Sequence, residues 1–424
     1  MSMYPQPINF RRIQMKINSH LDKLRDEMLN AHLLAGYSSH TIKRFKEVFK
    51  RIGRDVQSGN CATYDDVFWK YYGDKSKAVE RGGRWVLGAI EYFDISGQLP
   101  GGVRRSKIGK ITKFDLLSEE FKSTLSYYKK VEMQRGIKAS TINVCFYGGI
   151  SFFTALQSKG ITEPSQITAQ VVIDVLTDAD GKPCKSGSYR KNLLSLFHAC
   201  RDFLPCGVCD RIIGFLPEIP CVRKNIQYLT KEEILKVKDI LLGEQPSLTT
   251  RDRTIGLLAM YIGLRSCDIA GLLLEDIDWI QDTISITQQK TGKPLTLPLS
   301  AIVGNTLYDY IHDERPAVSI HEVFVTLRPP FRRIVSGDCC NIATVIMKQA
   351  GIRTNKGDRR GLHLFRHHLA TEMLAHEVPA TIISEVLGHA SPSSTQAYLS
   401  ADFTHLKACS LGIEQFPIQQ GVLR

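Results

Sequence analysis

Two proline-punctuated basic segments constrain this chain more than any other feature: LPGG at 99–102 followed by RRSKIGK, and PEIPCVRKN at 217–225. Each interrupts a helical pattern, because proline lacks a backbone donor and disfavours helix in the residue before it, and glycine loosens the chain. A chain cut in this way must bury its apolar residues in separate cores. With 424 residues, 43% of them hydrophobic, there is material for two or three. The expected domains are 1–113, 114–224 and 225–424.

Within these bounds the pattern is mostly helical. From about residue 17 to 100 it includes TIKRFKEVFKRI, where Ile42, Phe45, Phe49 and Ile52 share one face. A second helical region runs from about 114 to 216. The third opens on YLTKEEILKVKDILL, in which Thr230 and Glu233 have the spacing of a capping box, each side chain satisfying a backbone donor at the helix start. Further on, DWIQDTISITQQKTGKPLTLPLS alternates apolar and polar residues around a Lys-Thr-Gly-Lys turn and predicts a small antiparallel sheet. From Asn341 the pattern is helical again. The expected fold is mainly α with a small antiparallel β-sheet in the third domain.

The first two regions share a motif. AGYSSHTIKRFKEVFKRI and RGIKASTINVCFYGGISFFTAL align with Gly36 on Gly136 and Thr41-Ile42 on Thr141-Ile142, an offset of 100 at each position. Either one unit is duplicated, or a glycine helix stop and a Ser/Thr helix start recur as they do in any bundle.

Lys and Arg total 55 against 43 Asp and Glu, a formal charge of +12, which favours a polyanionic partner such as nucleic acid over an acidic small substrate. Eleven cysteines, an odd number with Cys339 and Cys340 adjacent, do not form a secreted disulfide framework and fit a reducing cytoplasm. Cys206 and Cys209 make a lone CxxC, with Cys184, Cys200 and Cys221 nearby; lacking a second pair at metal-ligand spacing, they read as thiols of a helical domain before they read as a zinc site. The N-terminal residues lack the apolar core of a signal peptide. The apolar stretch 254–264, taken as the longest, is too short to span a bilayer, so no membrane association is expected.

Four short stretches of the third domain carry candidate chemistry. In GLRSCDIAGLLLEDID, Arg265 stands at a break between helical runs; in QQKTGK, Lys290 sits at the end of a strand beside a turn. In HLFRHH, His363 and Arg366 are three apart and share a helix face, with His367 and His368 expected on other faces. In EVLGHASPSSTQAYLS, His389 follows a glycine stop, and Tyr398 follows a segment that reads as a loop and then a helix start. Singly these are a capping arginine, a solvated lysine, a histidine cluster without a complementary carboxylate or cysteine, and a helical tyrosine. Together they suit attack on a phosphodiester without metal. Arginine forks neutralise phosphate charge, lysine protonates a leaving oxygen, histidine moves a proton at the nucleophile, and tyrosine stores the bond energy as an ester.

The order Arg, Lys, His-x-x-Arg, Leu-Gly-His, Tyr over roughly 228–410 resembles the tyrosine recombinases, or phage integrase family. The resemblance implies phosphate clamps at Arg265 and Arg366, a general acid at Lys290, proton handling at His363, phosphate binding at His389 and a nucleophile at Tyr398. It implies neither cofactor nor metal. Its partners would be double-stranded DNA gripped in a multidomain clamp and a homotetramer on two DNA sites, with or without accessory DNA-bending proteins. Residues 114–222 resemble the family's core-binding domain, and SADFTHLKACSLGIEQF resembles the C-terminal helix that members pass to a neighbouring protomer. The chain departs from the pattern in having Asp268 where the family usually has Glu, and in residues 1–113, which exceed a minimal recombinase and suggest a mobile-element integrase or transposase. An arm-site binder and a duplicated clamp unit are both open readings of that extension. Rival readings of the whole are a Xer-like chromosome dimer resolvase, a type IB topoisomerase and a catalytically silent DNA-binding protein.

Overall fold

The computed structural model describes residues 17, 20–101, 108–219, 227–243, 248–389, 391 and 398. Both basic linkers fall partly, and the expected C-terminal docking helix wholly, outside the described residues. The chain divides into two compact units. One comprises Met1–Val67, Trp85–Ser106 and Lys224–Arg424, and the other Phe68–Arg84 and Lys107–Arg223. The division at 223/224 lies beside the expected boundary at 224/225. The other breaks fall at 67/68, 84/85 and 106/107, the last of them seven residues before the expected boundary at 113/114.

The N-terminal region forms α1 (Leu21–Leu34), α2 (Ser39–Gln57), α3 (Tyr64–Tyr72) and α4 (Lys77–Ser96). In α2 the apolar stripe expected from the sequence is buried, with Ile42, Phe45, Val48, Phe49 and Ile52 turned inward. The Ser38 side chain caps its start by accepting from the Thr41 amide. The outer face of α2 carries exposed Lys43, Arg44, Lys46, Lys50, Arg51 and Arg54. The second region forms α5 (Glu119–Gln134), α6 (Ala139–Gln157), α7 (Ala169–Leu176), α8 (Gly187–Ala199) and α9 (Val208–Phe215). Its core centres on Phe121 stacked on Phe153 at 4.2 Å, with Phe152 and Phe197 beside them. Helix α6, at 19 residues, is longer than the 254–264 stretch. Among the described residues it alone is long and apolar enough to cross a membrane, yet Ile142, Cys145, Phe152, Phe153 and Leu156 on one face are buried in this core.

The hairpins α1–α2 and α5–α6 match at the offset of 100 from the end of the first helix through the second, although the first helices start at Leu21 and Glu119. Gly36 and Gly136 both have φ of +73°, a left-handed geometry that reverses the chain between helices. The Tyr37 amide donates to the His32 carbonyl, and the Ile137 amide donates to the Glu132 carbonyl. Helices α2 and α6 begin at 39 and 139 and end at 57 and 157. The polar residues His32 and Glu132 are buried at equivalent places.

The third region holds the sheet. It comprises α10 (Lys231–Leu242), α11 (Thr250–Leu257), α12 (Ser266–Ala270), strands β1 (Ile277–Asp278), β2 (Thr283–Thr287) and β3 (Pro294–Pro298), then α13 (Ala301–Asp309), α14 (Ser336–Gln349), α15 (His363–Ala375) and α16 (Ala380–Val386). The strands are antiparallel in the order β1-β2-β3, with Ser285 opposite Thr296. The capping box is present: the Glu233 amide donates to Thr230 Oγ1 at 3.2 Å and the Thr230 amide donates to Glu233 Oε2 at 3.0 Å. Residues 351–362 between α14 and α15 are not helical, which interrupts the continuous pattern expected after Asn341. Fully buried Leu257, Leu258, Phe324, Ile346 and Phe365 tie the helices and sheet into one core. That core holds the ends of α11 and β2 and the start of α15 in fixed positions.

Candidate active site

Helix α11 continues as a π-helical turn, Leu258–Ile262, and stops at Gly263, whose φ is +73°. A Cβ there would lie 2.8 Å from Leu369 Cδ2 and 3.1 Å from Leu387 Cδ2, so glycine is required both by conformation and by packing. After this stop Arg265 is extended and stands at the N-cap of α12. The break expected at Arg265 thus has a physical cause two residues upstream.

Opposite it, α16 ends in a turn at Leu387, Gly388 and His389, with Gly388 left-handed. The carbonyls of this turn converge on the two arginines. Arg265 Nη2 donates to the Gly388 carbonyl at 3.3 Å. Arg366, 6% exposed on the first turn of α15, donates from Nη2 to the Leu387 carbonyl at 2.5 Å and from Nη1 to the Gly263 carbonyl at 2.6 Å. Burial and the neighbouring Arg265 push the Arg366 guanidinium down to about 10, still fully charged at neutral pH. Arg265 Nη1 is buried without a hydrogen-bond partner among the described residues. It is a charged donor with no acceptor, in the setting where an anion would be held.

Asp268 is buried, and its Oδ2 reaches only to 4.0 Å from Arg265 Nη1, also without a hydrogen bond among the described residues. Its other oxygen accepts from the Gln289 amide at 2.9 Å, anchoring the β2–β3 turn one residue before Lys290. The shorter acid therefore fixes the turn and balances charge without forking onto the arginine. Lys290 is exposed at the turn. Gln288 Nε2 donates to the Leu387 carbonyl at 3.2 Å and Lys293 Nζ to the His389 carbonyl at 3.2 Å, so the turn is tied to the end of α16.

Tyr398 is 2% exposed and helical. Its hydroxyl lies 2.9 Å from His367 Nδ1, and its ring lies parallel to His389 at 6.0 Å between centroids. Burial raises the Tyr398 hydroxyl above its ordinary range, while Arg366 and Arg265 pull it back down. His389 is pushed down to about 4 by burial and by Arg366, Arg265 and Lys290. Arg265 and Arg366 therefore act on Tyr398, and the same two arginines together with Lys290 act on His389, which links five of the expected residues. His363 enters through His367: the two rings are 5.7 Å apart, nearly perpendicular. Partial desolvation, Arg359 and Arg353 lower His363, whose side chain still opens to solvent at the start of α15.

His367 corrects the sequence reading. It was expected on another face from His363 and Arg366, whereas it faces Tyr398. The signal was present in the spacing, since four residues separate His363 from His367 and i, i+4 positions share a helix face. His368 does point elsewhere, its Nδ1 lying 3.0 Å from the Leu229 carbonyl. Of the CxxC, Cys206 is exposed and Cys209 is buried, and burial raises the Cys209 thiol to about 11. Among the described residues no group of histidine, cysteine and carboxylate side chains is placed to hold a metal ion.

Residues 227–405 match the model of the phage integrase family. The protein y4gC of Sinorhizobium fredii, assigned as an integrase/recombinase, is 37% identical over 185 residues, which cover 44% of this chain and 94% of y4gC. The tyrosine recombinase XerA of Pyrococcus furiosus is 30% identical over 194 residues, covering 45% of this chain and 62% of XerA, so this match spans less than two thirds of that relative. Among solved structures, the site-specific recombinase XerH bound to palindromic difH superposes with a TM-score of 0.53 at 22% identity, covering 67% of this chain and 83% of XerH. That similarity speaks to the fold.

Proposed function

The chain belongs to the phage integrase family of tyrosine recombinases, and from that premise we propose that it cleaves and rejoins DNA through a 3′-phosphotyrosine on Tyr398. The observation that carries this reading is the convergence of Arg366 and Arg265 on the Tyr398 hydroxyl, with His389 alongside its ring and a buried Arg265 donor without a hydrogen-bond partner among the described residues. A phosphodiester held by the two arginines has its charge neutralised as the pentavalent transition state forms, and in a partly dry site such donors act strongly. Tyr398 attacks phosphorus, and the 5′ oxygen leaves with a proton from Lys290, whose place on an exposed hairpin turn lets it reach a bound duplex. His389, kept neutral beside three cations, donates to a phosphate oxygen. His363 serves proton transfer at the same centre. The ester conserves the bond energy, so resealing requires neither nucleotide nor metal.

Double-stranded DNA is the partner. Residues 114–224 act as the core-binding clamp and 225–424 as the catalytic domain, and four protomers on two sites exchange strands, with or without a bending protein. Residues 1–113 act as a second clamp-like unit. The matching hairpins and the exposed cations of α2 support this assignment. The extension also favours integration, excision or transposition of a mobile element in the cytoplasm. A Xer-like chromosome dimer resolvase is the second reading; what speaks for a Xer-like recombinase is the 30% identity to the tyrosine recombinase XerA.

A nicked suicide duplex bearing the cognate site, incubated with chelator and run on a denaturing gel, tests the mechanism. A covalent adduct is expected, and its loss in Tyr398→Phe. An adduct that persists in that variant, or one that requires magnesium, refutes it.

A further inference from the structure

The hydroxyl of Tyr398 needs somewhere to send its proton. The cations that act on it, Arg366 and Arg265, accept no hydrogen bond. Of the histidines, His363 stands at the exposed start of α15 and His389 lies alongside the Tyr398 ring with parallel planes, 7° apart. His367 has a ring nitrogen 2.9 Å from Tyr398 Oη, within the ordinary length of a strong hydrogen bond. Resting on the reading of Tyr398 as nucleophile, we propose that His367 is the proton acceptor for Tyr398, a catalytic role distinct from that given to His363.

Three features of the site support the assignment. First, only a neutral ring with an unprotonated Nδ1 accepts from a phenol, and the surroundings keep His367 neutral. Burial, His363, Arg366, His389 and Arg359 together push it down to about 4. Second, Arg366 acts on the same hydroxyl, favouring the phenolate as the proton leaves. Third, His367 is held by the helix. It follows Arg366 directly, and Arg366 is fixed by the carbonyls of Gly263 and Leu387, so the acceptor and the cation are positioned as one piece. The low basicity of the free site is suited to a proton that must be handed back. Once a phosphate anion lies between the arginines, the repulsion that lowers His367 is partly cancelled and its basicity rises.

The Tyr398 O–H proton passes to His367 Nδ1 while Oη bonds to phosphorus; the P–O5′ bond breaks and O5′ takes a proton from Lys290. On resealing, O5′ gives its proton back to the neutral Lys290 amine and bonds to phosphorus, the P–Oη bond breaks, and the imidazolium of His367 returns its proton to Oη.

The test uses full-length protein, single-turnover cleavage of the suicide duplex, and a second duplex whose scissile 5′ oxygen is replaced by sulfur, a leaving group that needs no acid. His367→Asn retains a hydrogen-bond acceptor near the Nδ1 position but takes up no proton; His367→Gln is the companion variant. With DNA affinity and circular dichroism unchanged, both are expected to cleave about 100-fold more slowly on both duplexes. Lys290→Ala is expected to be slow only on the oxygen duplex. Wild-type rates in His367→Asn, or a defect cured by sulfur, overturn the proposal while leaving Tyr398 as nucleophile. Absence of any wild-type adduct on either duplex refutes the underlying reading instead. If neither variant folds, ¹⁵N NMR of labelled histidine in the wild-type protein decides: the proposal requires His367 to carry its proton on Nε2 at neutral pH, and a protonated Nδ1 overturns it.

Discussion

Replacing Gly263 by alanine probes the link between the fold and the arginine site. The residue is left-handed at φ +73°, a conformation that costs an L-residue roughly 1–2 kcal/mol. The new methyl would also sit 2.8 Å from Leu369 Cδ2 and 3.1 Å from Leu387 Cδ2. Overpacking of this kind costs about 1–3 kcal/mol, and the lower half applies because both neighbours are the movable tips of leucines. The sum is about 3 kcal/mol. For a domain of this size, at ~3 °C per kcal/mol, the melting temperature falls by roughly 9 °C. Gly292→Ala is the control: its φ is +69°, but nothing lies within 4 Å of the added methyl. It bears only the conformational term, about 1.5 kcal/mol or roughly 4 °C. Scanning calorimetry of the full chain measures both. Because Leu387 also supplies a carbonyl to Arg366, Gly263→Ala is expected to lose more cleavage than stability at 25 °C. Equal shifts for the two variants would refute the claim that the Gly263 backbone is pressed against α15 and the end of α16.

Asp268→Asn, which removes the buried negative charge near Arg265 while preserving an acceptor for the Gln289 amide, is expected to reduce cleavage about tenfold with little change in DNA affinity; gel cleavage and filter binding measure the two. Glu233 accepts from Arg353 Nε at 2.9 Å and Nη2 at 3.0 Å. Burial raises its carboxyl, but hydrogen bonds from Arg353 and the Thr230 amide outweigh this, leaving it below the usual range. Its contribution is therefore present above the unfolded value and lost as pH falls through the lower folded value. Glu233→Gln should be about 1 kcal/mol less stable at pH 7 and converge with wild type as acid is added, by urea denaturation. If α2 faces DNA, replacing Lys46, Lys50 and Arg54 by glutamine should reduce the slope of log affinity against log salt by about 3, and an unchanged slope removes the second-clamp assignment.

Local signals made much of this fold legible. The capping box at Thr230 and Glu233 appears as read, and the Lys-Thr-Gly-Lys turn joins two antiparallel strands. The offset of 100 between the hairpins follows from Gly36 and Gly136, because a left-handed helix stop is one of the few backbone states that a residue type announces. Less legible were features set by contacts distant in sequence. That Arg265 and Arg366 share the carbonyls of one turn depends on α11, α15 and α16 meeting. Asp268 carries the right charge for an arginine partner, but its reach of 4.0 Å is a matter of side-chain length against a fixed backbone. His367 was legible by spacing and obscured by its company, since His368, one residue on, points toward Leu229.

The central claim is that Tyr398 becomes covalently joined to DNA. Digesting the adduct trapped on a suicide duplex and sequencing the nucleotide-bearing peptide by mass spectrometry tests it most directly. A nucleotide joined through its 3′-phosphate is expected on Tyr398 and on no other residue. Cleaved DNA with Tyr398 unmodified, or with the nucleotide on a different side chain, would contradict it.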